Sequence, residues 1–178
     1  MTERPPAGEA GAETVILALG SNVGDRRAHL EGGLEFLSSE VRIVAVSRLV
    51  ESAPHGPARQ PDFLNVVIRA ETRLTPLELL GLAERAEAHR RRRRTIPMGP
   101  RTLDVDIVFH GQACVSHPRL TIPHPRWQER PFVYNLLAEV GEGLVDPVSA
   151  RPLRPPGAAD ALHPDLREVP PLYYRIAP

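Results

Sequence analysis

Four short stretches of the chain have apolar, β-branched or alternating residues, which is the pattern of β-strands. They are residues 14–19, 41–50, 63–71 and 102–109. In the last stretch the odd positions from Leu103 to Phe109 are apolar and are predicted on one face of the strand. Asp104 and Asp106 are predicted on the other face. This alternation indicates a strand that buries one face and leaves two carboxylates on the other.

Leucines recur at helical spacing in two segments between these strands. The first predicted helix covers 26–38 with Asp25 as its N-cap, and the second runs from Thr75 to about Arg94. A third helix is predicted over 131–140. The order of elements predicts an α+β fold: a ferredoxin-like βαββαβ antiparallel sheet with helices packed on it, plus a C-terminal helix and an extended tail.

Length and composition predict one domain with loose ends. The chain has 178 residues, of which 42% are hydrophobic, enough for one core. We expect a flexible arm over 1–13, a domain over 14–146 and a proline-rich extension over 147–178. No apolar run approaches the roughly 20 residues of a bilayer span, and the amino end lacks a secretory pattern. A soluble, cytoplasmic monomer without a membrane partner is expected, with Cys114 as a buried small residue.

The charged residues exclude several kinds of chemistry. The formal net charge is zero, so the molecule as a whole does not attract nucleic acid. All 22 basic residues are arginine, and a chain without lysine has neither the lysine of a P-loop nor a Schiff-base nucleophile. A bound phosphate must therefore be held by arginine, histidine, backbone N–H groups or a metal.

Asp104 and Asp106 are the strongest candidates for chemistry. Alternate residues of a strand lie roughly 6 to 7 Å apart on one face, so the two carboxylates are side by side. Hard oxygen ligands suit magnesium, which keeps waters and completes its shell with substrate phosphates. Arg101 and the run 90–94 place cations before the acids in the chain. The alternative interpretation is a solvated strand face and a solvated helix end.

Four motifs follow one another along the chain. They are Leu19-Gly20-Ser21-Asn22, Pro61-Asp62-Phe63-Leu64-Asn65, the segment from Gly99 through Arg101 to Ile107, and the segment from Arg119 to His124. Their residues, order and spacing resemble the 6-hydroxymethyl-7,8-dihydropterin pyrophosphokinase family of the folate pathway. The resemblance implies transfer of pyrophosphate from ATP to the hydroxymethyl group of the pterin, with AMP leaving.

The resemblance also implies site residues, two magnesium ions and two small-molecule substrates. Metal binding is implied for Asp104 and Asp106, and a catalytic role for these two with Arg101, Arg91 and Arg92. ATP binding is implied for Arg91, Arg92, Arg94, Arg101, Ile107, Arg119, Thr121, His124 and Arg130. Pterin binding is implied for Ser52, Pro54, His55, Gly56, Phe63, Asn65 and Phe132. The proton acceptor is open between Asp106 and a hydroxyl group acidified by the metal.

Two other functions remain as alternatives. The chain has Met98 where the family usually has tryptophan, which leaves open a non-catalytic relative that binds pterin or nucleotide. Its basic segment is one residue shorter than in the family, which leaves open which arginine of 91–94 contacts which phosphate. RNA-binding modules share the same order of strands and helices. The absence of aromatic residues in 15–19 and 103–107, and the two acids in the latter, oppose RNA binding.

Overall fold

A computed structural model describes residues 11–54, 60–90, 99–153 and 162–176. Within these residues the centre is an antiparallel sheet of six strands. Its strands are β1 (Glu13–Ser21), β2 (Arg42–Val46), β3 (Val50–Ser52), β4 (Phe63–Thr72), β5 (Asp104–His110) and β8 (Leu166–Glu168). A separate hairpin is formed by β6 (Val115–His117) and β7 (Leu120–Ile122). The helices are α1 (Arg26–Ser38), α2 (Pro76–His89) and α3 (Pro131–Val140).

The sheet has the order β5-β1-β4-β3-β8, and β2 also pairs with β4. Helices α1 and α2 contribute to the larger apolar cluster on one face, and α3 contributes to a second cluster on the other. The central strand β1 is therefore covered on both faces, and Val15, Ile16, Leu17 and Leu19 are fully buried. A strand covered on both faces needs an unbroken apolar run, which explains the sequence of this segment.

The predicted starts of the first two helices are confirmed. Helix α1 begins after Asp25, whose carboxylate accepts a hydrogen bond from the N–H of Ala28 at 3.1 Å. Helix α2 begins with a capping box between Thr75 and Glu78. Its predicted end near Arg94 is wrong, because the helix ends at His89. Arg90 follows as the C-cap, and its guanidinium donates to the carbonyl of Ala28 at 2.8 Å.

The single strand predicted over 41–50 is wrong, because the segment forms two strands. Strand β2 pairs with residues 68–71 of β4, whereas β3 pairs with residues 63–65. Between them Ser47 bonds to Val67 twice: its N–H donates to the Val67 carbonyl at 2.9 Å, and its hydroxyl accepts from the Val67 N–H at 3.0 Å. A side chain thus replaces part of the ladder where the strand breaks.

The predicted position of Phe109 is also wrong. The register between β1 and β5 shifts at Ile16 and Leu17, so that Ile16 lies opposite Phe109 and Leu17 opposite Ile107. This irregularity moves Phe109 to the cluster that contains α3, while Leu103 stays with α1 and α2. The face that carries Asp104 and Asp106 is consequently covered by apolar packing at one end of β5.

Two further observations complete the description. Cys114 is exposed, which contradicts its expected burial; it lies in the turn region just before β6. Among the described helices, none has the length and apolar character needed to cross a membrane.

Candidate active site

A cleft opens on the α3 side of the sheet, where β1, β4 and β5 lie next to one another. Gly20 of β1 is opposite Asn65 of β4 and Asp104 of β5, and Ala18 is opposite Asp106. Because Gly20 and Ala18 are small, the floor of the cleft stays low between the polar side chains on either side. The lining residues are Ala18, Leu19, Gly20, Ser52, Ala53, Phe63, Asn65, Arg101, Asp104, Asp106, Arg126, Arg130 and Phe132.

One wall of the cleft carries the two predicted carboxylates with two arginines. Arg101 forms an ion pair with Asp104, and Arg130 binds Asp106 with 2.5 Å between its Nη1 and the carboxylate Oδ2. All four side chains are partly exposed. The pairs balance the charge of the wall, and their planar guanidinium groups can also bind phosphate oxygens. A polyanion and a cation can therefore be held at the same wall.

The composition of this wall fits magnesium. Carboxylate oxygens are the ligands that magnesium prefers, and the ion usually takes one or two of them with water and substrate phosphate. Among the described residues there is no cluster of three or more His, Cys, Asp or Glu side chains that could enclose a metal alone. The two aspartates could hold such an ion together with water and phosphate oxygens.

Glu87 of α2 supports this wall from the opposite face of the sheet. Its carboxylate accepts a hydrogen bond from the backbone N–H of Val105 at 3.0 Å, and the residue is 7% exposed. Val105 lies between the two aspartates on an edge strand, where an outward N–H has no neighbouring strand to bind. Glu87 was not predicted from the sequence, although an acid on the buried face of an amphipathic helix was a signal.

The other wall of the cleft combines an amide with aromatic rings. Asn65 is 2% exposed, and its Nδ2 donates to the hydroxyl of Ser52 at 2.9 Å. Phe63 and Phe132 are half-buried and line the same cleft. An amide with a defined orientation next to apolar ring faces suits a flat heteroaromatic ring with donors and acceptors at its edge.

Asn22, which follows β1, connects the two chain segments that flank the cleft. Its Oδ1 accepts from the N–H of Arg101 at 2.7 Å, and its Nδ2 donates to Gln60 at 2.9 Å and to the carbonyl of Pro61 at 3.1 Å. The residue is 1% exposed. Asn22 belongs to the first of the four motifs, but no role was predicted for it from the sequence.

His124 lies beside the carboxylate wall without lining the cleft. Its N–H donates to the carbonyl of Val108 at 3.0 Å. Burial lowers the pKa of His124, the cation of Arg130 lowers it further, and Asp106 opposes both effects. Arg126 was not predicted, although it follows His124 by two residues; it lines the cleft and pairs with Glu129 at 2.9 Å.

The remaining predicted residues lie elsewhere or outside the described residues. Ile107 points into the core on the α1 and α2 side, and Thr121 is exposed on β7. Arg119 is exposed and binds both carboxylate oxygens of Glu84, at 2.8 and 3.0 Å. Pro54 is half-buried and does not line the cleft. Outside the described residues are His55, Gly56, Arg91, Arg92, Arg94 and Met98.

Comparison with known proteins gives one consistent family. Residues 16–142 match the model of 7,8-dihydro-6-hydroxymethylpterin-pyrophosphokinase. The 2-amino-4-hydroxy-6-hydroxymethyldihydropteridine pyrophosphokinase of Pseudomonas aeruginosa is 41% identical over 134 residues, which are 74% of this chain and 83% of that protein. The Haemophilus influenzae protein of the same name is 40% identical over 138 residues, 76% of this chain and 86% of that protein.

Larger proteins contain a similar part. The mitochondrial folate synthesis bifunctional protein of Pisum sativum is 44% identical over 135 residues, which are 75% of this chain but only 26% of that protein. The crystal structure of wild-type Plasmodium falciparum HPPK-DHPS has a TM-score of 0.64 at 14% identity and covers 83% of this chain and 44% of that chain. This likeness shows a shared fold, and the remaining parts of these larger proteins have no counterpart in the match.

Proposed function

The chain belongs to the 7,8-dihydro-6-hydroxymethylpterin-pyrophosphokinase family, whose members carry out pyrophosphoryl transfer in folate biosynthesis, and we propose that the cleft is where this chain performs the reaction. The donor is ATP, the acceptor is the hydroxymethyl group of 6-hydroxymethyl-7,8-dihydropterin, and AMP leaves. The observation that carries the proposal is the register of three strands, which puts Asn65, Gly20 and Asp104 side by side. We call the wall with Phe63, Asn65 and Phe132 the acceptor wall, because it binds the pterin. It faces the carboxylate wall, which binds ATP, across one glycine.

The triphosphate binds at the wall formed by Asp104, Asp106 and their arginines. Arg101 and Arg130 exchange part of their contact with the aspartates for contact with phosphate oxygens, since a guanidinium has five donors and can serve both. Arg126, which also lines the cleft, adds a third cation. His124, the arginines over 91–94, Arg119, Thr121 and Ile107 keep the nucleotide-binding roles that the family resemblance implies.

Asp104 and Asp106 hold magnesium, and two ions are expected when the triphosphate is bound. Bound magnesium supplies charge neutralisation for the phosphates and acidifies a nearby hydroxyl group. The support for this proposal is the donor set itself, two partly exposed carboxylates on one face of a strand. Glu87 and Asn22 keep the backbone of this strand and of Arg101 in place.

The pterin ring lies between Phe63 and Phe132, with the amide of Asn65 at its edge. Because Asn65 donates to Ser52, its Oδ1 remains as an acceptor for the N–H groups of the pterin. For Pro54, His55 and Gly56, which follow Ser52 in the chain, pterin binding stays a prediction of the family resemblance. Holding both substrates in contact geometry is the main catalytic contribution, because phosphoryl-type transfer depends chiefly on positioning and charge.

The proposal also covers the topology of the sheet, the oligomeric state and the cellular compartment. A ferredoxin-like topology is supported by the order β5-β1-β4, followed by β2 and β3 on the far side of β4. We expect a cytoplasmic monomer that does not bind nucleic acid. Sedimentation of the purified protein, alone and with RNA, tests the last two expectations.

Product analysis tests the proposed reaction. Purified protein is incubated with ATP, magnesium and the pterin, and the products are separated, identified and quantified by mass spectrometry. The proposal predicts equal amounts of AMP and pterin diphosphate, with no AMP when the pterin is omitted. Formation of ADP and a pterin monophosphate would contradict the proposed reaction. Binding of the pterin without release of AMP would also contradict it, and would identify the chain as the non-catalytic relative.

A further inference from the structure

Residues 162–176 lie beyond the family match over 16–142, yet they contain β8, the edge strand next to β3. Strand β8 pairs antiparallel with β3, so that Leu166 is opposite Ser52 and Arg167 is opposite Glu51. β3 is a strand of only three residues and ends at Ser52, which lines the cleft. An added edge strand restricts the backbone of a short neighbour through shared hydrogen bonds.

Glu51 is the centre of a charge network that starts in β8. Its side chain is 8% exposed and forms ion pairs with Arg167 and with Arg26, the latter at 2.7 Å. The same Nη1 of Arg26 donates to the backbone carbonyl of Asp62 at 2.7 Å. A carboxylate with so little exposure requires its cations, because an unpaired charge would be poorly solvated there. The network therefore links β8 to the residue just before β4.

These contacts reach Ser52 at the end of β3 and Asp62 just before β4. Ser52 is opposite Leu166 and accepts the hydrogen bond of the Asn65 amide at 2.9 Å. The Asp62 carbonyl accepts a hydrogen bond from Arg26 at 2.7 Å. Leu166 is 8% exposed and packs in the cluster that also contacts Phe132. The orientation of Asn65 thus depends on a strand whose outer neighbour is β8.

The chain after β8 is fixed to α1. Arg27 donates to the carbonyl oxygens of Pro170 and Pro171, at 2.6 and 2.9 Å. The N–H of Tyr173 donates to the carboxylate of Glu31 at 2.8 Å. Leu172 packs against the larger core cluster. β8 is therefore held on the side of α1 as well as by β3.

We propose that Arg167 and Glu51 are positioning residues for the acceptor wall, and that β8 sets the affinity for the pterin through Ser52 and Asn65. Neither residue lines the cleft, and neither contacts the carboxylate wall. Disturbing the Arg167–Glu51 pair therefore raises the KM for the pterin and leaves the KM for ATP unchanged. This inference rests on the proposed function of the cleft.

Charge reversal at position 167 tests the inference in the full-length chain. Arg167→Glu places a carboxylate against Glu51, and Arg167→Gln removes the pair without repulsion. We expect the pterin KM to rise about tenfold in the first and about threefold in the second, since pairs with one exposed partner have modest strength. The KM for ATP and kcat should stay within about twofold. Arg175→Glu, the same change at an exposed arginine of the same segment, is the matched control and should behave as wild type.

Hydrogen exchange measured by mass spectrometry provides a second readout that does not need turnover. Exchange of the amides of residues 50–52 should be faster in Arg167→Glu than in Arg175→Glu, with exchange in α2 unchanged. An unchanged pterin KM, an equal rise of both KM values, or unchanged exchange in β3 would overturn the inference. Wild-type protein without pterin-dependent AMP release would instead contradict the proposed function, and the exchange comparison would still show whether β8 restrains β3.

Discussion

A methyl group at Gly20 should weaken pterin binding without destabilising the fold. Gly20 has no positive φ, so alanine is allowed there, and replacing glycine at a compatible position stabilises by about 0.4 to 1 kcal/mol through the unfolded chain. The new Cβ would lie 3.1 Å from Oδ1 of Asn65 and 3.4 Å from Cδ1 of Phe63. The amide must therefore move by a few tenths of an ångström, away from the position in which it can accept from the pterin.

The magnitude follows from one impaired hydrogen bond. Such a bond contributes about 1 kcal/mol net, which corresponds to about a fivefold rise in the KM for the pterin. Steady-state kinetics with each substrate varied in turn measures it, and thermal unfolding measures stability. Gly81→Ala is the control, because a Cβ there meets only Arg85 at 3.6 Å and a helical alanine stabilises by about 1 kcal/mol. A Gly20→Ala protein with unchanged pterin KM would refute the proposed contact between the Asn65 amide and the edge of the pterin.

Two further variants test the surroundings of the cleft. Asn22→Ala should destabilise the fold by about 2 kcal/mol in urea unfolding and lower kcat/KM for both substrates, because it leaves the partly buried N–H of Arg101 without its acceptor. An unchanged kcat/KM would contradict its connecting role. Burial and the cation of Arg90 lower the pKa of His29 below that of the unfolded chain, so protonation favours the unfolded state. Stability should therefore fall as the pH drops below the ordinary histidine pKa of about 6.5, and His29→Gln should reduce this fall; identical pH profiles of unfolding free energy would refute it.

The sequence predicted those parts of the fold that local signals specify. Asp25 and Thr75 precede their helices with side chains that cap them, and the apolar run over 14–19 predicted the strand β1. Three features depend on pairing with residues far away in the sequence, so no local pattern predicts them. They are the break between β2 and β3 at Ser47, the position of Phe109 and the edge strand β8. The alternation of apolar and polar residues predicted Asp104 and Asp106 as site residues, and a motif predicted Asn65. Asn22 and Glu87 bind backbone groups far away in sequence, which only the folded chain reveals.

The most direct test of the site is AMP release in variants of the two carboxylates. Asp104→Asn and Asp106→Asn are compared with wild type at saturating ATP, pterin and magnesium, and Asp25→Asn is the control because asparagine also caps a helix. The account predicts that either cleft variant loses at least about a hundredfold in turnover, as expected when groups that stabilise transition-state charge are removed. The control should keep wild-type turnover. Near-normal AMP release by Asp104→Asn or Asp106→Asn would contradict the assignment of these aspartates to the reaction.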